Sequence, residues 1–245
     1  MEVKVIGFWG AYPEKNEATS CYLLKRGDYQ LVIDLGSGAL SRLQNYINLK
    51  DLDAVVLSHF HNDHIADVGS LQYACLVEEQ LKQRSNKLPI YSHQKDPQAF
   101  QQLTHQATVG RAYQANGSQT IGPFNFTFLA TKHPKHCYAM RIELDGLTVV
   151  YTADTSYFEE LDTFSKGADL LIAETSFYKG MNGKSAGHMT SEEVGRLATK
   201  AGVKELWLTH LPHFGDHQQL LSEAAEHFTG KIELAHEGLT WARKD

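Results

Sequence analysis

The stretch that decides the fold is SHFHNDHIAD, residues 58–67, which places three histidines and one aspartate between His59 and His64. Its first three residues end DAVVLSHF, an apolar run typical of a strand covered on both faces, and a run with the composition of a helix follows it. Alternate residues of an extended loop share a side. We therefore expect His59 and His61 to bind one ion, with Asp63 and His64 facing a second.

The alternative interpretation of this stretch is a solvated polar loop. Imidazole is a ligand for zinc, iron or manganese, and a carboxylate adds charge and tolerates harder metals. One such cluster cannot complete two coordination spheres, so a metal site demands further ligands elsewhere. Three predicted strands each end near a metal-capable residue: His133 follows FNFTFLATK, Asp154 follows LTVVYTA and His210 follows ELWLT. This repeated placement favours a metal site over a polar loop.

Composition narrows the class of protein. The chain has 245 residues and a formal net charge of −6, whereas proteins that bind nucleic acid are usually basic. Three cysteines without a CxxC spacing do not indicate a disulfide framework. The N-terminus does not resemble a signal peptide, and no apolar segment approaches the roughly 18 residues of a membrane helix. We expect a cytoplasmic protein that does not contact the membrane.

The order of predicted elements indicates two mixed sheets with helices outside, in one domain spanning residues 1–245. Strands predominate in the first third, and SCYLLKRGDYQLVIDLGSG reads as two strands around the turn Gly27-Asp28. A second hairpin is predicted around Asp145-Gly146. Strands and helices then alternate to the C-terminus. The polar stretch 94–123 is expected to hold a helix followed by loop.

HFHNDH, together with the three distant residues, resembles the metallo-β-lactamase superfamily, and VIDLGSG upstream extends the likeness over nearly the whole chain. The resemblance implies an α/β fold, a four-layer αβ/βα sandwich with a two-metal site along one edge. It assigns one ion to His59, His61 and His133, the other to Asp63, His64 and His210, and a bridging role to Asp154. Two divalent ions are implied, zinc first, with manganese or iron as alternatives.

The C-terminal third is similar to one branch of that superfamily. GHMTSEEVGRLATKAGVKELWLTHL resembles the region of ribonuclease Z-like phosphodiesterases that carries a His-x-x-Thr-type motif, a helix and the last ligand. His188 matches the histidine of that motif, and Glu174 in LLIAETSF matches a glutamate that pairs with it. The resemblance implies phosphodiester hydrolysis by a metal-bound hydroxide. His188 is the expected general acid, and Asp63 and Glu174 are the other catalytic residues. Related enzymes are commonly dimers, so we expect a homodimer.

Simple electrostatics agrees with an anionic substrate, because two divalent ions and two aspartates leave a positive site. Departure of an alkoxide also requires a proton, which an imidazole held by a carboxylate can deliver. Asp34, at the end of LVID, has two interpretations: it orients a ligand histidine from behind, or it caps a turn.

The chain departs from ribonuclease Z between His133 and Asp154. That family carries a long basic arm there, whereas only 21 positions separate the two residues here, enough for one hairpin. Because tRNA binds through many phosphates to a positive surface, tRNA processing without the arm is disfavoured. A small phosphodiester, such as a cyclic nucleotide or cyclic sugar phosphate, fits better. Residues 95–120 are the candidate for a lid, a substrate-selecting element or a dimer contact.

Two further functions stay open. The same scaffold can hydrolyse a thioester, a lactone or another activated ester, which has less need of a dedicated acid. A non-catalytic metal-binding or RNA-associated protein would keep the fold and lose the chemistry.

Overall fold

Two mixed seven-stranded sheets flanked by helices form the part of the chain that the computed structural model describes, residues 1–114 and 117–243. These residues divide into two compact units. The first unit holds residues 1–114, 121–123 and the segment from His236, and the second holds 117–120 and 124–235. Each unit contains one sheet, apart from Ile121 at the end of a strand of the second sheet. The expected single domain stays a prediction.

The elements follow one another in this chain order: β1 (Glu2–Gly7), β2 (Cys21–Arg26), β3 (Tyr29–Ile33), α1 (Ala39–Leu43), β4 (Ala54–Val56), α2 (Asn62–Ile65), α3 (Val68–Gln80), β5 (Leu88–Ser92), α4 (Pro97–Gln102), β6 (Thr108–Ala112), β7 (Ser118–Ile121), β8 (Phe124–Ala130), β9 (Tyr138–Leu144), β10 (Leu147–Tyr151), α5 (Glu160–Phe164), β11 (Leu170–Glu174), α6 (Ser191–Ala201), β12 (Glu205–Thr209), α7 (His217–Ala225), β13 (Lys231–Leu234) and β14 (Thr240–Ala242). Short 3₁₀ turns occupy Leu49–Asp51 and Lys184–Ala186. None of these described helices has the length and apolar character needed to cross a membrane.

Both sheets repeat one pairing pattern. The first has the order β14-β1-β2-β3-β4-β5-β6, antiparallel as far as β3 and parallel from β3 to β6. The second has the order β13-β12-β11-β10-β9-β8-β7, antiparallel between β8, β9 and β10 and parallel from β10 to β13. Strand β4 in the first sheet therefore holds the same place as β11 in the second.

The central parallel strands form because their sequences are apolar on both faces. Every residue of β4, β11 and β12 is buried. Such strands suit the middle of a sheet covered by helices. At their C-terminal ends the chain must turn, and polar residues follow there. These strand ends position the candidate site.

Two-residue turns join the strands of both predicted hairpins. Asp145 and Gly146 have φ values of 52° and 76°, the left-handed conformation that suits a tight hairpin between β9 and β10. Gly27-Asp28 joins β2 to β3. In β8, Phe124, Phe126 and Phe128 alternate with more exposed residues and supply core side chains to the second unit.

Helix α6 carries the clearest end signals. Thr190 accepts a hydrogen bond from the backbone N–H of Glu193, whose side chain accepts from Thr190 N in a capping box, and Gly202 ends the helix at φ 63°. The carboxylate of Asp216 caps α7 in a similar way, accepting from Gln218 N over 2.9 Å.

The expectation for residues 94–123 is partly wrong. The predicted helix is α4, but the expected loop contains strands β6 and β7. Strand β6 extends the first sheet by parallel pairing with β5 although its sequence, TVGRA, is short and interrupted by glycine. Its pairing partner, and not its own propensity, makes it a strand. Residues 115 and 116 of this stretch lie outside the described residues.

Candidate metal centre

The motif loop of the first unit begins directly after β4. Ser58 and His59 are fully buried, Ser58 lies at a bend, and His61 has an extended backbone with φ −74° and ψ 149°. Beyond His61 the expected extended loop is wrong, because Asn62–Ile65 form the short helix α2. The predicted pairs of side chains nevertheless come together.

The pair His59 and His61 brings two imidazole nitrogens close together. His59 Nε2 lies 3.1 Å from His61 Nδ1. Two imidazole nitrogens on a tetrahedral zinc ion stand roughly 3.3 Å apart, given Zn–N distances of about 2.0–2.1 Å. A single proton between the nitrogens would make the same contact a hydrogen bond. The spacing therefore suits either a shared proton or a shared ion.

Asp63 and His64 form the second pair of this unit. Asp63 Oδ2 lies 3.7 Å from His64 Nε2, within the roughly 4.2 Å that two bonds to one ion can span. The same oxygen accepts a hydrogen bond from Ala11 N over 2.9 Å. His64 is buried and Asp63 is half-buried.

Asp34 lies behind His64. Its Oδ2 is 2.8 Å from His64 Nδ1 and accepts from the Ser58 hydroxyl over 2.8 Å, while Oδ1 accepts from Ser58 N over 2.7 Å. Of the two interpretations of Asp34, the contacts favour the one in which it orients a histidine. With Nδ1 engaged, His64 presents Nε2 toward Asp63.

In the second unit, Asp154 stands between two histidines. Its Oδ2 lies 3.9 Å from His133 Nε2 and its Oδ1 lies 3.5 Å from His210 Nε2. Each carboxylate oxygen thus faces a different imidazole. This is the geometry expected of a carboxylate that binds two ions at once.

Three residues in or next to the candidate site have a strained backbone. Ala153 and His210 have φ values of 48° and 54°, the left-handed region that non-glycine residues seldom adopt. Asp34 is in the same region at 56°. All three follow the C-terminal end of a strand. Such strain costs of order 1–3 kcal/mol each and is found most often at functional sites.

The surroundings of His133 favour a neutral ring. Its Nδ1 lies 3.0 Å from the carbonyl oxygen of Gly187, which directs Nε2 toward Asp154. Burial lowers the pKa of His133, although Asp154 opposes the shift. A neutral imidazole is the form that binds metals. At Gly187, with φ 81°, an added Cβ would lie only 2.5 Å from Pro134 Cδ, so this close approach requires glycine.

Glu174 and His188, predicted as a pair, are in contact. His188 Nδ1 lies 2.8 Å from Glu174 Oε1. Glu174 is fully buried and also accepts from Thr155 N over 3.1 Å and from the Ser176 hydroxyl over 2.9 Å. The His188 ring centroid lies 5.2 Å from that of His133 and 5.3 Å from that of His210. His188 is therefore next to two predicted ligands.

A cleft of about 520 Å³ opens beside His133 in the second unit. This volume is within the range of small-molecule sites. Lys132 and Lys184 supply positive charge, and Phe158 supplies an aromatic surface. The full lining is Thr131, Lys132, His133, Pro134, Ser156, Tyr157, Phe158, Lys184, Ser185 and Gly187.

The structure brings the predicted residues together within each unit. The first unit gathers five of them, Asp34, His59, His61, Asp63 and His64, and the second gathers the other five, His133, Asp154, Glu174, His188 and His210. Groups of these histidines and carboxylates have ligand atoms close enough to hold a metal ion. Their individual roles stay predictions.

Sequence reasoning missed Ser58, Ser176 and Gly187. Ser58 and Ser176 each lie two residues after a buried parallel strand, where small polar residues reach the strand-end site. Gly187 directly precedes His188 in a stretch that already contains Gly183. The available signal in the sequence was the position of these residues near strand ends. Serine and glycine are both common in turns, so the residue types themselves gave no signal.

Comparison with known proteins decides the family. A family model described as a beta-lactamase superfamily domain matches residues 31–211. The chain belongs to the metallo-β-lactamase superfamily. The probable metallo-hydrolase YhfI of Bacillus subtilis strain 168 is 53% identical over 242 residues, covering 98% of this chain and 99% of YhfI. The predicted family is confirmed.

Solved structures confirm the predicted sandwich fold of this metallo-β-lactamase superfamily member. The crystal structure of the metallo-beta-lactamase fold protein YhfI from Bacillus subtilis matches with a TM-score of 0.97 and 51% identity, covering 98% of each chain. The short form of human tRNase Z matches with a TM-score of 0.78, 18% identity and 99% coverage of each chain. A diphosphatase from the PhnP family has the same TM-score and identity, with coverages of 99% of this chain and 98% of the diphosphatase. At 18% identity the last two show the fold alone.

These comparisons support a metal-dependent hydrolase of metallo-β-lactamase fold. The segment between His133 and Asp154 is also as expected. Strands β9 and β10 pair as one hairpin and fill it, so this superfamily member has no arm at that point.

Proposed function

We propose that this chain is a two-metal phosphodiesterase that acts on a small phosphodiester, in particular a cyclic one. Zinc is the proposed metal, with manganese or iron as the alternatives. One ion would be held by three histidines, the other by two histidines and an aspartate, and a second aspartate would bridge them: His59, His61 and His133; Asp63, His64 and His210; and Asp154.

The observation that carries the phosphodiesterase proposal is the contact between His188 Nδ1 and Glu174 Oε1 at 2.8 Å. A phosphodiester releases a basic alkoxide, which needs a proton as the bond breaks. An activated acyl group releases a better leaving group and has less need of one. A carboxylate-held imidazole beside the ligands supports phosphodiester hydrolysis over acyl hydrolysis.

The donor chemistry of each unit fits divalent metals. The first unit offers three imidazoles and one carboxylate, a set typical of zinc, manganese and iron sites. The second offers two imidazoles and a carboxylate whose oxygens face different rings. Neither set alone completes two coordination spheres, so the proposal requires both. When bound, such ions activate water and neutralise the negative charge that develops on the phosphate.

The protein side chains have separate tasks in this proposal. Glu174 accepts the Nδ1 proton of His188, so the transferable proton resides on Nε2. His188 delivers that proton to the leaving oxygen. Asp63 orients the attacking water and accepts its proton. Thr155 and Ser176 donate to Glu174 and keep its carboxylate fixed.

The cleft and the hairpin of the second unit favour a small substrate. The cleft beside His133 holds about 520 Å³, enough for a mononucleotide-sized ligand but not for a folded RNA. The hairpin between His133 and Asp154 leaves no arm to grip tRNA, and the net charge of −6 does not favour a polyanion. These features support a small substrate. The homodimer is proposed on the precedent of related enzymes.

The test is hydrolysis of bis(p-nitrophenyl) phosphate by protein loaded with Zn²⁺ or Mn²⁺, with His188→Ala beside it. We expect turnover by the wild type and a reduced rate in the variant, with a loss below the roughly 10²–10⁴-fold that is usual for an acid–base residue because p-nitrophenolate leaves readily without a proton. Replacing p-nitrophenyl by phenyl, a poorer leaving group, should enlarge the loss.

His236→Ala is the matched control because His236 is exposed and its ring contacts only a neighbouring carbonyl oxygen among its described hydrogen bonds. This variant should keep wild-type turnover. Metal-loaded wild type that cleaves thioesters or lactones but no phosphodiester would contradict the proposal. Fewer than about one ion per chain after purification without chelators would favour a non-catalytic role instead.

A further inference from the structure

In the first unit, one serine hydroxyl stands between a histidine and a carboxylate that holds a second histidine. Ser58 Oγ lies 3.0 Å from His59 Nδ1 and donates to Asp34 Oδ2 over 2.8 Å. The same carboxylate oxygen lies 2.8 Å from His64 Nδ1. All four side chains are fully buried. The order of contacts is histidine, serine, carboxylate, histidine.

The second unit contains the same order of contacts. Ser176 Oγ lies 2.8 Å from His210 Nδ1 and donates to Glu174 Oε2 over 2.9 Å. Glu174 Oε1 lies 2.8 Å from His188 Nδ1. In addition, the backbone N–H of Ser176 donates to Glu174 Oε2 over 3.2 Å, just as Ser58 N donates to Asp34 Oδ1 over 2.7 Å.

The two serines occupy equivalent places, but their carboxylates do not. Ser58 lies two residues after β4 and Ser176 two residues after β11, the strands that hold the same place in the two pairing patterns. Asp34 follows β3, whereas Glu174 is the last residue of β11. The same hydrogen-bond order is thus built from a different carboxylate in each unit.

Counting protons shows which atom donates and which accepts in each of these chains of contacts. An imidazole that offers Nε2 to a metal keeps its proton on Nδ1, so His210 donates to Ser176 Oγ. The single hydroxyl proton of Ser176 must then go to an acceptor. The carbonyl oxygen of His210 lies at 3.2 Å, but Glu174 Oε2 is nearer at 2.9 Å and charged, which makes it the stronger acceptor.

We infer that Ser176 is a positioning residue that couples the ligand His210 to the acid His188 through Glu174. Ser58 is its counterpart, coupling His59 to His64 through Asp34. The inference rests on the proposed function, because it takes His188 as the acid and the other three histidines as ligands. The two chains of contacts therefore end on different groups. Ser58 aligns two ligands, whereas Ser176 aligns one ligand and the proton donor.

The experiment compares Ser176→Ala with Ser58→Ala. Zinc affinity is measured by competition with a chromophoric chelator, and ligand geometry by the absorption spectrum of the Co²⁺-loaded protein. Each variant should lose about 10–100-fold in metal affinity, the usual effect of removing a group that orients a ligand, and should alter the Co²⁺ spectrum.

The dependence of kcat/KM on the leaving group should differ between the two serine variants. The ratio of kcat/KM for bis(p-nitrophenyl) phosphate to that for diphenyl phosphate should rise in Ser176→Ala, because the poorer leaving group depends more on His188. The ratio should stay at the wild-type value in Ser58→Ala. Ser176→Thr restores the hydroxyl and should recover both properties, and Ser222→Ala, an exposed change on α7, serves as the baseline.

An unchanged metal affinity and Co²⁺ spectrum in Ser176→Ala would overturn the inference, as would an equal change of the leaving-group ratio in both variants. If Ser176→Ala does not fold, Ser176→Cys takes its place, since it keeps the volume and weakens both hydrogen bonds. Wild-type protein that cleaves neither ester, while Ser176→Ala still weakens zinc binding, would sink the phosphodiesterase proposal and leave the coupling of Ser176 to His210 supported.

Discussion

Asp34 and His64 form a fully buried carboxylate–imidazole pair, with 2.8 Å between Asp34 Oδ2 and His64 Nδ1. The contact requires an unusual backbone, because Asp34 has φ 56° directly after β3. Two further hydrogen bonds to this carboxylate come from Ser58, whose backbone N–H and hydroxyl both donate to it. A buried carboxylate with this many partners has one orientation, and it fixes the orientation of the His64 ring.

Asp34→Asn should therefore weaken metal binding without removing a ligand. The amide lacks the negative charge that fixes the Nδ1 proton of His64, so we expect zinc affinity to fall about 10–100-fold in a chelator competition. Asp28→Asn, at the exposed turn between β2 and β3, is the control and should leave affinity unchanged. Equal affinity in the two variants would contradict an orienting role for Asp34.

Gly187 and Gly180 allow crowding to be separated from backbone strain. Both are left-handed, at φ 81° and 82°, but a Cβ on Gly187 would meet Pro134 Cδ at 2.5 Å and His133 Nδ1 at 3.0 Å, whereas one on Gly180 would meet nothing within 4 Å. The left-handed backbone alone should cost each alanine variant about 1–2 kcal/mol, and the close contacts at position 187 should add to this cost in Gly187→Ala. Only Gly187→Ala should also displace His133 and lower metal affinity. Thermal unfolding and zinc titration of both variants measure the two effects.

Glu223 predicts an acid limit to stability. Burial raises its pKa, but hydrogen bonds from Lys179 N, Ser191 and Gln219 outweigh burial, so the pKa is lowered. A lowered carboxyl pKa stabilises the fold above the unfolded value of about 4.3, and this contribution is lost as the pH falls through the folded value. Glu223→Gln should be less stable than wild type by about 1 kcal/mol at neutral pH.

The difference between wild type and Glu223→Gln should narrow in acid. Urea unfolding at neutral pH and at the lowest pH at which both proteins stay folded gives the comparison. Glu226→Gln is the control, because its ion pair with Lys179 is exposed and should contribute little. A gap that stays constant as the pH falls would refute the assignment to Glu223.

Lys132→Ala should weaken substrate binding. Lys132 is exposed in the cleft beside His133, with its Nζ 5.9 Å from the Phe158 ring centroid. Loss of one exposed charge contact, about 1 kcal/mol, raises KM for an anionic ester roughly fivefold with little change in kcat. The effect should shrink at high salt. Lys166→Ala, exposed and outside the lining of the cleft, should behave like wild type.

Removal of metal should lower both activity and stability. Ligands that bind the folded state stabilise it by mass action, about 4 kcal/mol when the free metal is a thousand times its Kd. Dialysis against a chelator should abolish ester hydrolysis and lower the melting temperature, and Zn²⁺ or Mn²⁺ should restore both. A melting temperature that does not respond to metal would count against a site built by these histidines.

The pattern of candidate ligands was predictable because its residue types are rare and its spacing is regular. His59, His61, Asp63 and His64 stand in one run, and Asp154 and His210 lie at the ends of apolar strands that are recognisable from composition alone. The hairpin between His133 and Asp154 was equally readable from its turn residues. These features depend on local sequence.

Features that depend on distant partners were not predictable. Strand β6 exists because β5 offers it a parallel edge, and β14 because its three residues pair with β1 from the other end of the chain. Ser58 and Ser176 are common residues whose importance comes from what lies opposite them. Their contacts are made across β3, β4, β11 and β12, and a linear pattern carries no sign of them.

The Asp145-Gly146 turn has a practical consequence for protein engineering. A Cβ on Gly146 would meet nothing within 4 Å, and the tip connects two strands whose pairing runs unbroken from Leu147 to Tyr151. Sequence can therefore be spliced in at this tip while His133 and Asp154 keep their register. A basic arm grafted at this tip would give the proposed phosphodiesterase a positive surface for a long polyanion and would leave the candidate ligands unchanged.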